Sequence, residues 1–144
     1  MVTHVLVPID DSDRADQALE FALREHGDAR LTALHVIDPA DFYAATGLEV
    51  GAMANYDQVL DSHRRRSSSL LEEAARRAGE AGVELETDEV IGNVSRSIVE
   101  YVDEHEVDHV VIGSHGRTGA SRLLLGSVAE TVARRSPVPV TIVR

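Results

Sequence analysis

Short apolar runs alternate with longer amphipathic stretches along the whole chain, and this rhythm limits the fold more than any single residue does. Val5-Leu6-Val7-Pro8-Ile9 reads as a buried strand, and Ala15 to Glu25, with Ala18, Leu19 and Ala22 on one face, as a helix. Leu31 to Ile37 is a second strand, followed by a loop of polar and small residues from Asp38 to Gly51. Tyr56 to Ala81 is a long helix, with Gly79 and Gly82 where glycines commonly end helices. Val83 to Ile91 alternates as a third, more exposed strand, and Val94 to Glu104 is a helix capped by Asn93. Val107 to Ile112, Ser127 to Arg135 and Val138 to Val143 complete the series as strand, helix and strand.

Strands that alternate with helices need crossover connections, and these produce a parallel sheet covered by helices. The expected fold is therefore α/β: an open, doubly wound five-stranded parallel sheet with helices on both faces. At 144 residues, with no internal repeat or low-complexity segment, residues 1–144 read as one domain. In such sheets ligands bind beyond the carboxyl ends of the strands, where the strand order reverses. The pattern of residues does not dictate that order. Turn chemistry clusters after strands one and four, which favours these two as central neighbours, in a Rossmann-like order 3-2-1-4-5.

The segment after strand four is Gly113-Ser114-His115-Gly116-Arg117-Thr118-Gly119, with Gly126-Ser127 further on. Glycine lets backbone N–H groups approach an anion with no Cβ in the way. A helix starting near Ser127 adds unpaired donors and a positive dipole end, so strand, turn and helix converge on a phosphate site. A competing reading exists: Ser127 and Glu130 have the spacing of a capping box, in which the serine only caps its own helix. The loop is not a Walker A motif, which would need a lysine, and it lacks the dinucleotide fingerprint. Arg117 is the nearest residue to meet phosphate charge, or else a solvated loop arginine.

Gly113, Gly116, Gly126 and Ser127 fill the pattern G-x2-G-x9-G-[ST]. With Val5-Leu6-Val7-Pro8-Ile9-Asp10, His35-Val36-Ile37-Asp38 and Pro137-Val138-Pro139-Val140 in the same order, the whole chain resembles the ATP-binding universal stress proteins. The resemblance implies ATP, with Mg²⁺ carried on its phosphates. It places Asp10 at the ribose, with Pro8 and Ile9 lining the crevice, and the backbone of Val36 at adenine. Ile112 and Gly113 would lie beneath the nucleotide, and Gly116, Arg117, Gly126, Ser127, Val128 and Ala129 would form the ribose and phosphate shell. Asp10 also makes independent sense, because a carboxylate at a strand end can accept hydrogen bonds from ribose hydroxyls. Its competing role is a helix cap, for which Ser12 and Asp13 are equally suited.

Composition removes other classes. There is no cysteine, so disulfides, thiol catalysis and the usual structural zinc or iron–sulfur sites lack their ligands. The net charge is −11 and all 14 basic residues are arginine, which argues against a nucleic-acid binder. Arg64-Arg65-Arg66, the one basic cluster, reads as a solvated helix face. The acidic, lysine-free surface suits a salt-rich cytoplasm, although a GC-rich genome would leave the same mark. The chain opens directly into a strand and has no apolar stretch of membrane-spanning length, so a cytoplasmic protein is expected. Neither the His105 and His109 pair nor Ser114-His115 has the geometry for a metal site or a nucleophile–base pair.

Three residues, Asp10, His115 and Arg117, could lie near a γ-phosphate, yet none is marked as a catalyst, so binding with at most slow hydrolysis is expected. Pro139 within an apolar run points to an edge strand. The resemblance implies a homodimer through that strand, residues 138–143. The expected role is a regulatory or stress-response nucleotide sensor. The alternative is a dimeric interaction module that binds AMP, cyclic AMP or no nucleotide.

Overall fold

The computed structural model describes residues 1–42, 56–115 and 125–144. In chain order the elements are β1 (His4–Pro8), α1 (Asp13–Glu25), β2 (Arg30–Ile37), α2 (Tyr56–Glu80), β3 (Leu85–Ile91), α3 (Val94–Glu104), β4 (His109–Gly113), α4 (Ser127–Arg135) and β5 (Val140–Val143). All strand pairs are parallel, and the sheet order is β3-β2-β1-β4-β5, as expected from the clustering of turn chemistry. Leu6 pairs with Thr32 on one side and Val110 on the other, which makes β1 the centre of the sheet.

The central strands are apolar at nearly every position because both faces are covered. Their side chains alternate between two cores. Val5, Val7, Leu31, Ala33 and Val111 pack with Ala18, Leu19 and Ala22 of α1 and with Leu71 and Ala74 of α2. Leu6, Leu34, Val110 and Ile112 face the other way, onto Ile98, Tyr101 and Val102 of α3 and Ala129 and Val132 of α4. The helices thus lie two on each face, the doubly wound arrangement.

Several boundaries differ from the expectations, each for a local reason. Gly79 lies inside α2, and the stop is made by Gly82, whose φ of 73° carries the chain out of the helix. There the N–H of Val83 bonds the carbonyl of Ala78 at 2.9 Å and that of Gly82 bonds Gly79 at 3.0 Å, closing the last turn. Pro139 precedes β5 rather than lying in it, and its carbonyl accepts the N–H of Val110 at 3.0 Å. The expected loop from Asp38 opens as a helical turn at 40–42, started by the Asp38 carboxylate accepting the N–H of Ala40 at 2.9 Å. The rest of that segment, residues 43–55, lies outside the described residues. Arg64 and Arg66 hold Glu89 and Asp11, so the basic cluster is largely a solvated, ion-paired helix face.

Candidate functional site

The strand order reverses between β1 and β4: β1 crosses over through α1 to β2 on one side, and β4 through α4 to β5 on the other. The chain segments leaving their carboxyl ends therefore bound a crevice. Asp10 stands two residues beyond β1, partly exposed. One of its oxygens, Oδ1, accepts the N–H of Ser12 at 2.8 Å, which fixes the carboxylate. Ser12, not Asp10 or Asp13, caps α1 by accepting the N–H of Ala15 at 3.2 Å. Asp10 is thus relieved of the capping role that competed with ligand binding.

Ile9 donates its N–H to Leu34 at 2.8 Å, which seats the end of β1 against the end of β2, two residues short of Val36. The other sequence-predicted residues take mixed positions. Ile9 packs on the α1–α2 core, whereas Val36, Ile112, Val128 and Ala129 belong to the α3–α4 core. Ala129 is 2% exposed and Ile112 6%, so their side chains serve packing and only their backbones could meet a ligand. Gly113 has a packing reason for its identity: a Cβ there would come within 2.7 Å of the Arg14 backbone. Gly116 and Arg117 lie outside the described residues.

The start of α4 corrects the capping-box reading. Its N-cap is Gly126, which has no side chain to accept, so no side-chain hydrogen bond caps the helix. Ser127 is the first helical residue, and Glu130 bonds Arg134 one turn on instead of reaching back. The Gly126 N–H is taken by the carbonyl of Ser114 at 2.7 Å, which also ties the two ends of the glycine-spaced segment together. The first-turn N–H groups of Ser127, Val128 and Ala129 precede the first intrahelical bond, at the positive end of the helix dipole. By contrast, α1 is capped by the Ser12 side chain, and α3 by Asn93, which accepts the N–H of Arg96 at 3.0 Å. Of these three ends, only that of α4 offers an anion an uncapped turn.

Beside Asp10 a cleft opens between the ends of β1 and β2 and the helix α2. Asp10, Asp11, His35, Val36, Asp38, Asp41, His63, Arg66 and Leu70 line it. His35 bonds the hydroxyl of Ser67 through Nδ1 at 2.8 Å, and burial lowers its pKa, with Glu89 and Asp10 opposing. Phe42 lies tilted against His63, with ring centroids 4.6 Å apart, and meets Tyr56 edge-on. The sequence had pointed to Asp10 and Val36 alone. Asp11, Asp38 and Asp41 were visible as acidic residues trailing two strands, but Arg66 and Ser67 come from a helix far along the chain and carry no local signal.

The histidines take separate duties. The ring of His105 stacks on Tyr101 at 3.7 Å, while His109 bonds Thr141 at 2.7 Å. His115 is buried, with Nδ1 3.3 Å from the Ser114 hydroxyl. Among the described residues no group of three or more His, Cys, Asp or Glu could hold a metal ion, and no helix is long and apolar enough to cross a membrane.

Known proteins share both the sequence and the architecture. The universal stress protein family matches over residues 1–144. The chain is similar to universal stress protein YxiE of Bacillus subtilis, 33% identical over 148 aligned residues that cover 100% of both chains. It superposes on the universal stress protein UspA from Lactobacillus plantarum with a TM-score of 0.85 at 26% identity, covering 99% of this chain and 98% of that one. A universal stress protein solved in complex with cAMP is 28% identical, with a TM-score of 0.72 and coverage of 99% and 97%. A shared fold would leave the family open, but agreement in sequence along the full length does not: the chain belongs to the universal stress protein family.

Proposed function

We propose that this chain is a regulatory, stress-response protein that binds ATP in the crevice between β1 and β4. The observation that carries the reading is the first turn of α4, which has no side-chain cap and, like Asp10, follows the carboxyl end of one of the two adjacent strands β4 and β1. The phosphates lie on the N–H groups of Ser127, Val128 and Ala129, with Gly113, Gly116 and Arg117 completing the cradle. The nucleoside end lies toward Asp10, Pro8, Ile9 and the backbone of Val36. Electrostatics favours this orientation, since the cleft holding Asp10, Asp11, Asp38 and Asp41 repels phosphate and attracts hydroxyl and amino donors. Mg²⁺ travels on the phosphates. The chain acts as a binder and sensor, cytoplasmic and homodimeric through β5, with hydrolysis slow at most.

A second reading gives the same site AMP or cyclic AMP, and the cAMP-bound relative supports it. Both readings are tested by titrating the purified protein calorimetrically with ATP, AMP and cAMP, and by identifying whatever nucleotide it releases on denaturation. The decisive variant is Gly126→Asp. An aspartate at this N-cap would occupy the first-turn donors and place a negative charge where the phosphates sit, while strengthening the helix by a few tenths of a kcal/mol. Loss of one charge-assisted hydrogen bond corresponds to roughly ten- to a hundredfold weaker binding, with unchanged or slightly raised thermal stability. A Gly126→Asp variant that binds ATP as tightly as the wild type would sink the assignment.

A further inference from the structure

Two adjacent residues of α2 each hold one strand end of the proposed site. Arg66 pairs with Asp11, the neighbour of Asp10. Ser67, fully buried, bonds Nδ1 of His35, the neighbour of Val36, at 2.8 Å. Asp10, Asp11, His35, Val36 and Arg66 all face one cleft.

A serine with no exposure in the middle of a helix costs stability unless its hydroxyl finds a partner. Here the hydroxyl is committed to the imidazole. The Arg66–Asp11 pair is a poor source of stability: its side chains are 53% and 31% exposed, and pairs of that kind contribute little to folding. What the two contacts share is their geometry. One turn of α2 sets the positions of the β1 and β2 ends together, and with them the gap between Asp10 and the Val36 backbone.

We propose that Arg66 and Ser67 are positioning residues for the nucleotide, acting through Asp11 and His35 on the two groups that receive its nucleoside end. The inference rests on the nucleotide reading above. It makes α2 the structural partner of ligand binding: a nucleotide that seats against both strand ends fixes that turn of α2, and a shift of α2 weakens the nucleotide.

The test is calorimetric titration with ATP, AMP and cAMP in turn, for the wild type, Arg66→Ala, Asp11→Ala, the double variant and Ser67→Ala, with urea midpoints measured alongside. Arg66→Ala is expected to weaken binding by about fivefold or more, the usual size of such coupling, while its urea midpoint stays near that of the wild type. In the Asp11→Ala background the same change is expected to have no further effect, because the contact through which it acts is already gone. Ser67→Ala is expected to weaken binding as well. If that variant unfolds, the exposed Arg66 pair still decides the matter. Unchanged affinity in Arg66→Ala overturns the inference. So does a full effect of Arg66→Ala in the Asp11→Ala background, which would mean a direct attraction of the guanidinium for the ligand. A wild type that binds no adenine nucleotide overturns the nucleotide reading and this inference with it.

Discussion

His4 shows how the surroundings of a single residue in the sheet bias its protonation. Its Nδ1 lies 3.2 Å from the His105 carbonyl, which can only accept, so Nδ1 carries the hydrogen. Its Nε2 lies 2.9 Å from the Thr32 hydroxyl, whose single hydrogen also faces Glu86 at 3.2 Å. Arg30 donates to the same Glu86 oxygen at 2.6 Å. Burial, aided by Arg30, lowers the His4 pKa, and burial does the same to His35 and to His109, the latter aided by His26. The fold thus favours the neutral form of all three. Once unfolded they titrate near the ordinary imidazole value of about 6.5. Below that pH the unfolded chain binds more protons than the native one, so stability is fully present above about pH 6.5 and is lost as pH falls through the depressed folded values. The urea midpoint should decline between pH 7 and pH 5, and His4→Gln should flatten part of that slope. A midpoint constant over this range would contradict the account. None of this was legible in the sequence, because it depends on which neighbours the sheet register brings to each ring. Gly113 shows the converse. It reads from sequence as a phosphate-loop glycine, yet the contact that excludes a side chain is with Arg14 of α1, far earlier in the chain.

The elements were far more legible than their ends. Periodicity of the apolar residues identified each helix and strand, because burial on two faces of a parallel sheet writes its pattern directly into the sequence. The termini depend on single hydrogen bonds that several residues could make equally well. Ser12 rather than Asp10 caps α1, and Gly126 rather than Ser127 opens α4. The end of α3 was equally hidden. Val107 returns its N–H to Val102 at 3.1 Å, which requires the intervening Glu106 to take φ of 54°. That left-handed conformation suits glycine, and α2 uses Gly82 for it. A glutamate there costs about 1–2 kcal/mol of backbone strain, partly offset by the lower entropy of its unfolded chain. Glu106→Gly should therefore raise stability, by about 0.5–1 kcal/mol in urea denaturation, with no change in nucleotide affinity at the distant carboxyl ends of the strands. A lower midpoint would show that Glu106 contributes something more than a turn.

At the scale of the whole molecule the sheet has two edges, and they are built differently. The β3 edge carries Glu86, Asp88 and Glu89, charges of the sort that keep an edge from pairing with another chain. The β5 edge, Val140-Thr141-Ile142-Val143, carries none. The carbonyls of Pro139 and Val143 accept from β4, so the alternate N–H groups, those of Val140 and Ile142, point outward along the free edge. Among the described residues no strand pairs with this apolar edge, which is hard to account for in a monomer, since a net charge of −11 otherwise opposes association. A second copy presenting the same edge would supply the missing ladder, and a closed two-fold pairing would leave both nucleotide crevices accessible at the carboxyl ends of the sheets. Sedimentation equilibrium should then give twice the single-chain mass at micromolar concentration. Ile142→Pro removes one outward N–H while leaving the inward ladder to β4, in keeping with a proline's tolerance of sheet edges. It should yield a folded monomer, recognised by a native circular dichroism spectrum at half the wild-type mass. A single-chain mass for the wild type, or an undiminished dimer in the proline variant, would place any association elsewhere on the surface.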